Sequence, residues 1–445
     1  MSIQKINDLA LDLVARDFSD GHKPTNAGPT KTSRALAIIH LAAHDAYAKV
    51  TGLFSPNLAS VPALPAGIGT DDATGTFALL AAGIHAAEIL YPDDVQYIAT
   101  KAEMLTTGAD PAVLDYGRQV ANAWLSARLG DGSELPQLDE MYSDEPGHHR
   151  RDPLDPMQKA LGRNWGKVKP FVLTDVATEA PLTPPPNLKT DEYAVAFDQV
   201  IEVGKNDITQ RDPDARHQAA VGIFWGYDGS NKLGTPPRLY NQIVRNISEV
   251  NALPHDKQIR LLTAINVAMV DAGIAAWYWK YEYDFWRPVV GIREAEPGFG
   301  PTGKGDGNNL RGKSGDPFWL PLGAPRSNPA PAMFGGSGSN FTPNFPAYPS
   351  GHATFGSACF ETAAVLLGKS PEDIRVTFVS DEFNRVTTDN MGITRPRWEQ
   401  TFTLREAIEQ NKISRIYLGV HWIFDATGGE TVGNAVAQKA IAAFQ

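Results

Sequence analysis

Residues 257–288, KQIRLLTAINVAMVDAGIAAWYWKYEYDFWRP, decide the fold. No proline interrupts the run before Pro288, and apolar residues fall on several faces around Asp271 and Lys280. Such a pattern predicts one long helix, Lys257 to Trp286, ended by Pro288. Upstream, helices are predicted over Asp191–Lys205 and Pro236–Glu249. Earlier still come an amphipathic helix over residues 1–20 and one from Arg34 to Val50, capped by Thr32 or Ser33. Leu36, Ile39, His40, Ala43 and Tyr47 make its apolar stripe. Asp71–Leu90 and Ala112–Leu129, rich in Ala and Leu, are further helical candidates. Residues 130–190 are proline-rich and read as an irregular connection. Trp165, Phe171 and Val172 are too apolar for a free linker, so it should pack on the surface.

Downstream, residues 294–348 read as loop, a length that usually serves a function. Lys304 to Asn309 superficially suggests a calcium loop, but the Glu that such a loop needs is missing. An apolar run from Ala353 to Leu367 follows, then helices over Leu404–His421 and Gly428–Phe444. Strand signals are scarce. The reading is all-α, built of packed bundles with long Gly/Pro-rich loops. It divides into residues 1–190 and 191–445.

Composition narrows the function. The chain has 445 residues and a net charge of −11, which argues against nucleic acid or an anionic membrane as partner. Any anion site must be a local gathering of cations. Cys359 is the single cysteine, so no intrachain disulfide can form, and its apolar neighbours mark it as core. No signal-peptide pattern and no uninterrupted membrane-spanning stretch is seen, so the expectation is a soluble, cytoplasmic protein, with export left open.

Three motifs carry chemistry. Pro349-Ser350-Gly351-His352 opens the helix after the loop. Ser350 suits an N-cap, and the first N–H groups form an anion site with His352 in the first turn. An ordinary capped helix with an exposed His is the competing reading. Lys280 and Arg287 stand seven apart, on one helix face, with Pro288 directing the guanidinium off the helix end. In so aromatic a neighbourhood a buried cation pair calls for an anion; a solvated basic face is the alternative. Ser414 and Arg415 precede His421 by seven and six residues. Asp425, one turn on, can orient one ring nitrogen and leave the other free. A core His satisfied by its Asp would look the same.

In this order the motifs resemble the superfamily joining vanadium-dependent haloperoxidases to type 2 phosphatidic acid phosphatases. Residues 275–288, 345–356 and Tyr227-Asp228-Gly229-Ser230-Asn231, with Gly234-Thr235-Pro236-Pro237-Arg238 after them, are similar to fungal vanadium chloroperoxidases. The resemblance runs from about residue 220 to 427 and weakens before that; residues 140–185 follow the family poorly. It implies two four-helix bundles. It also implies orthovanadate as cofactor, ligated by His421 and hydrogen-bonded by Lys280, Arg287, Ser350, Gly351 and Arg415. His352 would be the acid–base residue, Asp228 would brace Arg415, and Trp277 and Phe345 would line the halide pocket. Algal bromoperoxidases usually carry His at the Phe345 position. The implied reaction is oxidation of bromide and iodide, with chloride open, by hydrogen peroxide to hypohalous acid, which attacks a small organic acceptor. An acid phosphatase on the same site is the alternative. A homo-oligomer is allowed by the family.

Other histidines read as structural. His148-His149-Arg150-Arg151 is expected to be solvated. His40 and His44, one turn apart beside Asp45, have metal spacing but no third ligand. Ser33-Arg34 and His40 repeat the spacing of Ser414-Arg415 and His421, which raises the hypothesis of an old duplication.

Overall fold

Helix follows the apolar patterning through most of the chain. The computed structural model describes residues 2–19, 23–136, 142–206, 213–229, 231–305, 314–324, 341–389 and 392–445. Of the quoted stretches, Ser230 and residues 306–309 lie outside the described residues. The first half contains α1 (Ser2–Asp17), α2 (Gly28–Thr51), α3 (Asp72–Leu90), α4 (Val95–Leu105) and α5 (Pro111–Ala127). A short α6 (Val176–Glu179) lies in the irregular connection, and α7 (Asp191–Val203) ends it. Then come α8 (Pro213–Phe224), α9 (Pro236–Arg245), α10 (Ser248–Ala252), α11 (His255–Tyr283) and α12 (Pro288–Arg293). The chain closes with α13 (Gly351–Leu366), α14 (Leu404–Tyr417) and α15 (Ile423–Phe444). One antiparallel pair, β1 (Arg375–Val379) and β2 (Glu399–Thr403), faces Arg375 with Thr403 and Val379 with Glu399.

The protein is all-α. Helices α1, α2, α3 and α5 pack on one another, as do α11, α13, α14 and α15, and α2 against α11 joins the two sets. In the second set α15 approaches α13 closely: a Cβ on Gly429 would lie 2.6 Å from the Ser350 carbonyl oxygen. The core runs continuously through both sets. Helices α3 and α11 are long and apolar enough to span a bilayer, against the expectation that no stretch is, but 94% of the apolar window of α11 is buried inside the fold.

Two helix ends differ from the expectation, and both carry site residues. Helix α11 stops at Tyr283, where Asp284 takes φ 49°. The next residues pair with another strand of backbone instead: His149 N–H donates to Asp284 O at 2.8 Å and Trp286 N–H to Gly147 O at 2.9 Å. Arg287 therefore does not share a helix face with Lys280; it is the extended N-cap residue of α12. Likewise α14 ends at Tyr417 rather than His421. Gly419 turns at φ 70°, pressed so close to Gly204 that a Cβ would sit 2.3 Å from its carbonyl oxygen. His421 lies in the turn ahead of α15, and Ser414 and His421 share no helix face.

The irregular connection packs as expected. The buried carboxylate of Asp271 on α11 accepts the N–H groups of Phe171, Val172 and Leu173 at 2.7, 2.8 and 2.9 Å. The basic cluster beside it is not solvated throughout: His149 is only 2% exposed and Arg150 pairs with Glu294. His40 and His44 are core residues. His40 bonds Leu36 O and Asn7, His44 bonds Asp45, and no metal-binding cluster occurs among the described residues. The repeated Ser-Arg-His spacing is not a repeated local structure, because Arg34 and His40 lie in one continuous helix, α2.

Candidate functional site

One cavity of about 210 Å³ gathers most of the expected residues: Asp228, Trp277, Phe345, Gly351, His352, Arg415 and His421. Lys280, Arg287 and Ser350 do not line it but adjoin residues that do. Arg287 Nη1 lies 2.9 Å from His421 Nε2 and donates to Val420 O at 2.7 Å, and Arg287 Nε donates to Phe345 O at 2.9 Å. The Phe345 ring holds both cations 5.0 Å from its centre and stands 4.7 Å from the Trp277 ring. The Trp277 ring in turn rests 3.3 Å from where a Cβ on Gly351 would be, so the first turn of α13 lies close against the indole.

The second carboxylate pair fixes two more groups. Asp228 binds Arg415 through both oxygens at 3.0 Å, a bidentate fork that sets the guanidinium plane. Asp425 Oδ2 accepts from Trp422 N–H at 2.9 Å and lies 2.8 Å from His421 Nδ1. That leaves His421 Nε2 as the ring nitrogen no carboxylate engages, facing Arg287 Nη1. His352 Nε2 lies 3.8 Å from Asp228 Oδ1 and has no hydrogen-bond partner.

Charge is unbalanced here. Lys280, Arg287 and Arg415 are each at most 1% exposed, and the neighbouring carboxylates are Asp228 and Asp425. Burial pushes Asp425 up to about 7, and it raises Asp228 against the pull of Arg415. Burial lowers Arg287 to about 9, so it stays charged at neutral pH. His352 and His421 are held well below the ordinary imidazole range, first by burial, then by Arg415 for His352 and by Arg287 for His421. Both are neutral at pH 7. Burial and Arg287 also depress Lys280. Yet Lys280 Nζ faces the carbonyls of Pro346, Ala347 and Pro349, and three acceptors match an ammonium's three donors, not an amine's two. We hold Lys280 to be charged. Its donors are spent on the loop ahead of Ser350, so in this arrangement it acts by charge.

Several buried polar atoms have no partner: Arg287 Nη2, Arg415 Nε, Ser350 Oγ and His352 Nε2. Ser350 occupies the N-cap position of α13 without making the side-chain cap bond. Orphaned buried donors of this kind are costly. Together with surplus positive charge and a helix N-terminus, they suit a multiply charged oxyanion. The donor set suits orthovanadate, and two imidazoles, His352 and His421, line the cavity beside it.

The sequence reading missed the supports. The His352 carbonyl accepts from Tyr240 Oη at 3.1 Å and Asn411 Nδ2 at 2.8 Å, and Tyr240 also donates to Asn411 Oδ1 at 3.0 Å. Asn411 sits one turn before Arg415 on α14, so it ties the two motifs together. An amide on the buried face of a predicted helix was the available signal. The cavity walls from Phe18, Pro29 and Leu161 had none.

A bundle of helices around a cation-rich oxyanion cradle, with one imidazole held by a carboxylate, defines an oxyanion-dependent α-helical enzyme class. Within it, the family model for the VCPO second helical-bundle domain matches residues 260–445. The vanadium chloroperoxidase of Curvularia inaequalis is 32% identical over 91% of this chain and 76% of its own. The chain belongs to the vanadium-dependent haloperoxidase family. Solved structures share the fold: a bacterial vanadium-dependent iodoperoxidase has a TM-score of 0.73 at 20% identity, covering 100% of this chain and 96% of its own. A holo-type bacterial vanadium-dependent chloroperoxidase has a TM-score of 0.66 at 17% identity, covering 96% and 94%.

Proposed function

We propose that this chain uses hydrogen peroxide to oxidise bromide and iodide to hypohalous acid at a vanadate centre, in the half of the chain after residue 190. The unpartnered buried donors around the Arg287–His421 pair carry the reading. His421 would ligate vanadate through Nε2, and Arg287, Arg415, Ser350 and the Gly351 N–H would hold its oxygens. Lys280 adds charge from behind the loop. Vanadate, when bound, supplies the centre at which peroxide becomes electrophilic toward halide.

The chain's own groups do the rest. Preorganised cations stabilise negative charge without reorganising, which is worth most in a site shielded from water. His352 Nε2, neutral and unpartnered, takes a proton from incoming peroxide; Asp228, 3.8 Å away, favours the imidazolium that results. Trp277 and Phe345 give the halide an apolar, polarisable seat. Chloride is harder to oxidise than bromide and depends most on this seat. Phe345→His should therefore lower any chloride oxidation more than bromide oxidation, and an unchanged ratio counts against the pocket.

The deciding experiment is bromination of a phenol dye by vanadate-free protein with bromide and peroxide, before and after orthovanadate. Activity that appears with vanadate and yields to competing phosphate is expected. No bromination, with phosphate-ester hydrolysis inhibited by vanadate, would make the site a phosphatase.

A further inference from the structure

The cavity is larger and more apolar than peroxide and halide require. Beyond the residues already described, its walls include Phe18, Pro29, Leu161, Pro236, Phe341 and Phe355, with Asn344 the one further polar side chain among the described residues. Phe18 and Pro29 come from the first half of the chain. Leu161 closes against them, with its Cδ2 only 2.9 Å from where a Cβ on Gly28 would be. Leu161 is also held rigidly: its carbonyl accepts Trp277 Nε1 at 3.0 Å and Tyr281 Oη at 2.8 Å, and its N–H donates to Asn344 O at 2.8 Å. This wall is built, not incidental. An apolar cavity of roughly 150 Å³ holds benzene; this one measures about 210 Å³, the space beside the oxyanion cluster included.

We propose that the apolar side of the cavity, between Phe18, Pro29 and Leu161, binds the organic halogen acceptor, a neutral single-ring aromatic of phenol size. The inference rests on the haloperoxidase reading. Halogen then passes to the ring inside the cavity. The O–X bond of hypohalous acid breaks, a C–X bond forms at a ring carbon, and the displaced ring proton leaves with hydroxide as water. The halogen is reduced and the carbon oxidised, with peroxide as the ultimate oxidant. Among the described residues the walls carry no charged group outside the oxyanion cluster, so a neutral ring is preferred to a carboxylated one.

Two measurements test this. The first is saturation-transfer NMR of p-cresol with vanadate-free protein, which needs no turnover. Transfer is expected in wild type, reduced at least about 10-fold in Leu161→Trp, which fills the space. Phe18→Ala, which widens it, should admit a two-ring phenol that wild type excludes. Absence of transfer in folded wild type overturns the proposal and leaves the haloperoxidase reading untouched. The second is competition between p-cresol and a bulky phenolic dye for bromination by the vanadate-loaded protein. The small ring should be favoured several-fold more than it is by reagent hypobromite. A ratio equal to that of the free reagent overturns the proposal. Absence of bromide oxidation overturns the haloperoxidase reading instead, and the NMR result still judges the cavity.

Discussion

His352 shows how a single side chain can report on its surroundings. Its imidazole is neutral because it is buried and because Arg415, Arg287 and Lys280 repel a proton. A bound dianion offsets those charges, so the imidazole should become more basic when the site fills. Sulfate, which does not titrate between pH 6 and 8, is therefore expected to bind more tightly as pH falls through that range, with proton uptake. Calorimetry in buffers of different ionisation enthalpy measures it, and proton release would contradict the charge assignment. His40 behaves in the opposite setting, far from any anion. It is satisfied as the neutral ring, Nδ1 facing Leu36 O and Nε2 facing the Asn7 amide, and burial lowers it to about 4. The folded state thus resists protonation that the unfolded chain accepts near 6.5. Stability is full above that value and falls as pH drops toward 4, by up to roughly 3 kcal/mol. Urea unfolding at pH 7 and pH 4.5 should show the loss, and His40→Gln should remove His40's share while that of the other buried histidines remains.

At the scale of elements, the motifs were legible but the backbone carrying them was not. Lys-x6-Arg-Pro and Ser-Arg-x5-His both suggested two turns of one helix. In each the helix breaks midway, at Asp284 and at Gly419, and the side chains converge across the break. The first break is offset by backbone hydrogen bonds from the His149 N–H and to the Gly147 carbonyl, residues some 135 positions away that no local pattern reveals. The second rests on a glycine, visible in sequence but ambiguous until Gly204 is seen against it. Helix α4 was missed because it buries only Ile98, and α8 because its first turns are polar. The hairpin did leave a trace, since Val376 and Phe378 alternate inward. Gly419→Ala combines a left-handed residue with a clash against backbone that cannot yield. A loss of at least ~2 kcal/mol is expected, with sulfate affinity falling as His421 is displaced; urea unfolding and calorimetry measure both, and wild-type values would refute the coupling.

Across the whole molecule, the two helix sets depend on each other. The second set holds the cations, which is why the sequence located the chemistry there. The first set supplies Phe18 and Pro29 to the cavity, and the connection reaches α11 through three N–H groups on Asp271. Contacts between distant segments leave no periodicity, so this half of the site was invisible. A fragment of residues 191–445 would strip α2 from α11, expose its apolar face and remove the three donors of Asp271. It should show no cooperative unfolding transition, and a folded fragment that binds sulfate would show that the division at residue 190 is a true domain boundary.

The lone cysteine acquires a meaning here. Under the proposed function the protein would make hypohalous acid, a strong oxidant to which thiols are among the first groups lost. Cys359 is wholly buried in α13, and burial holds its thiol far above the range where thiolate forms. Oxidation therefore has no reactive sulfur to exploit next to the active helix. Met104 and Met157, by contrast, are exposed at the surface. Under that function, burial of the one thiol would spare the helix that carries Gly351 and His352 from oxidation by its own product.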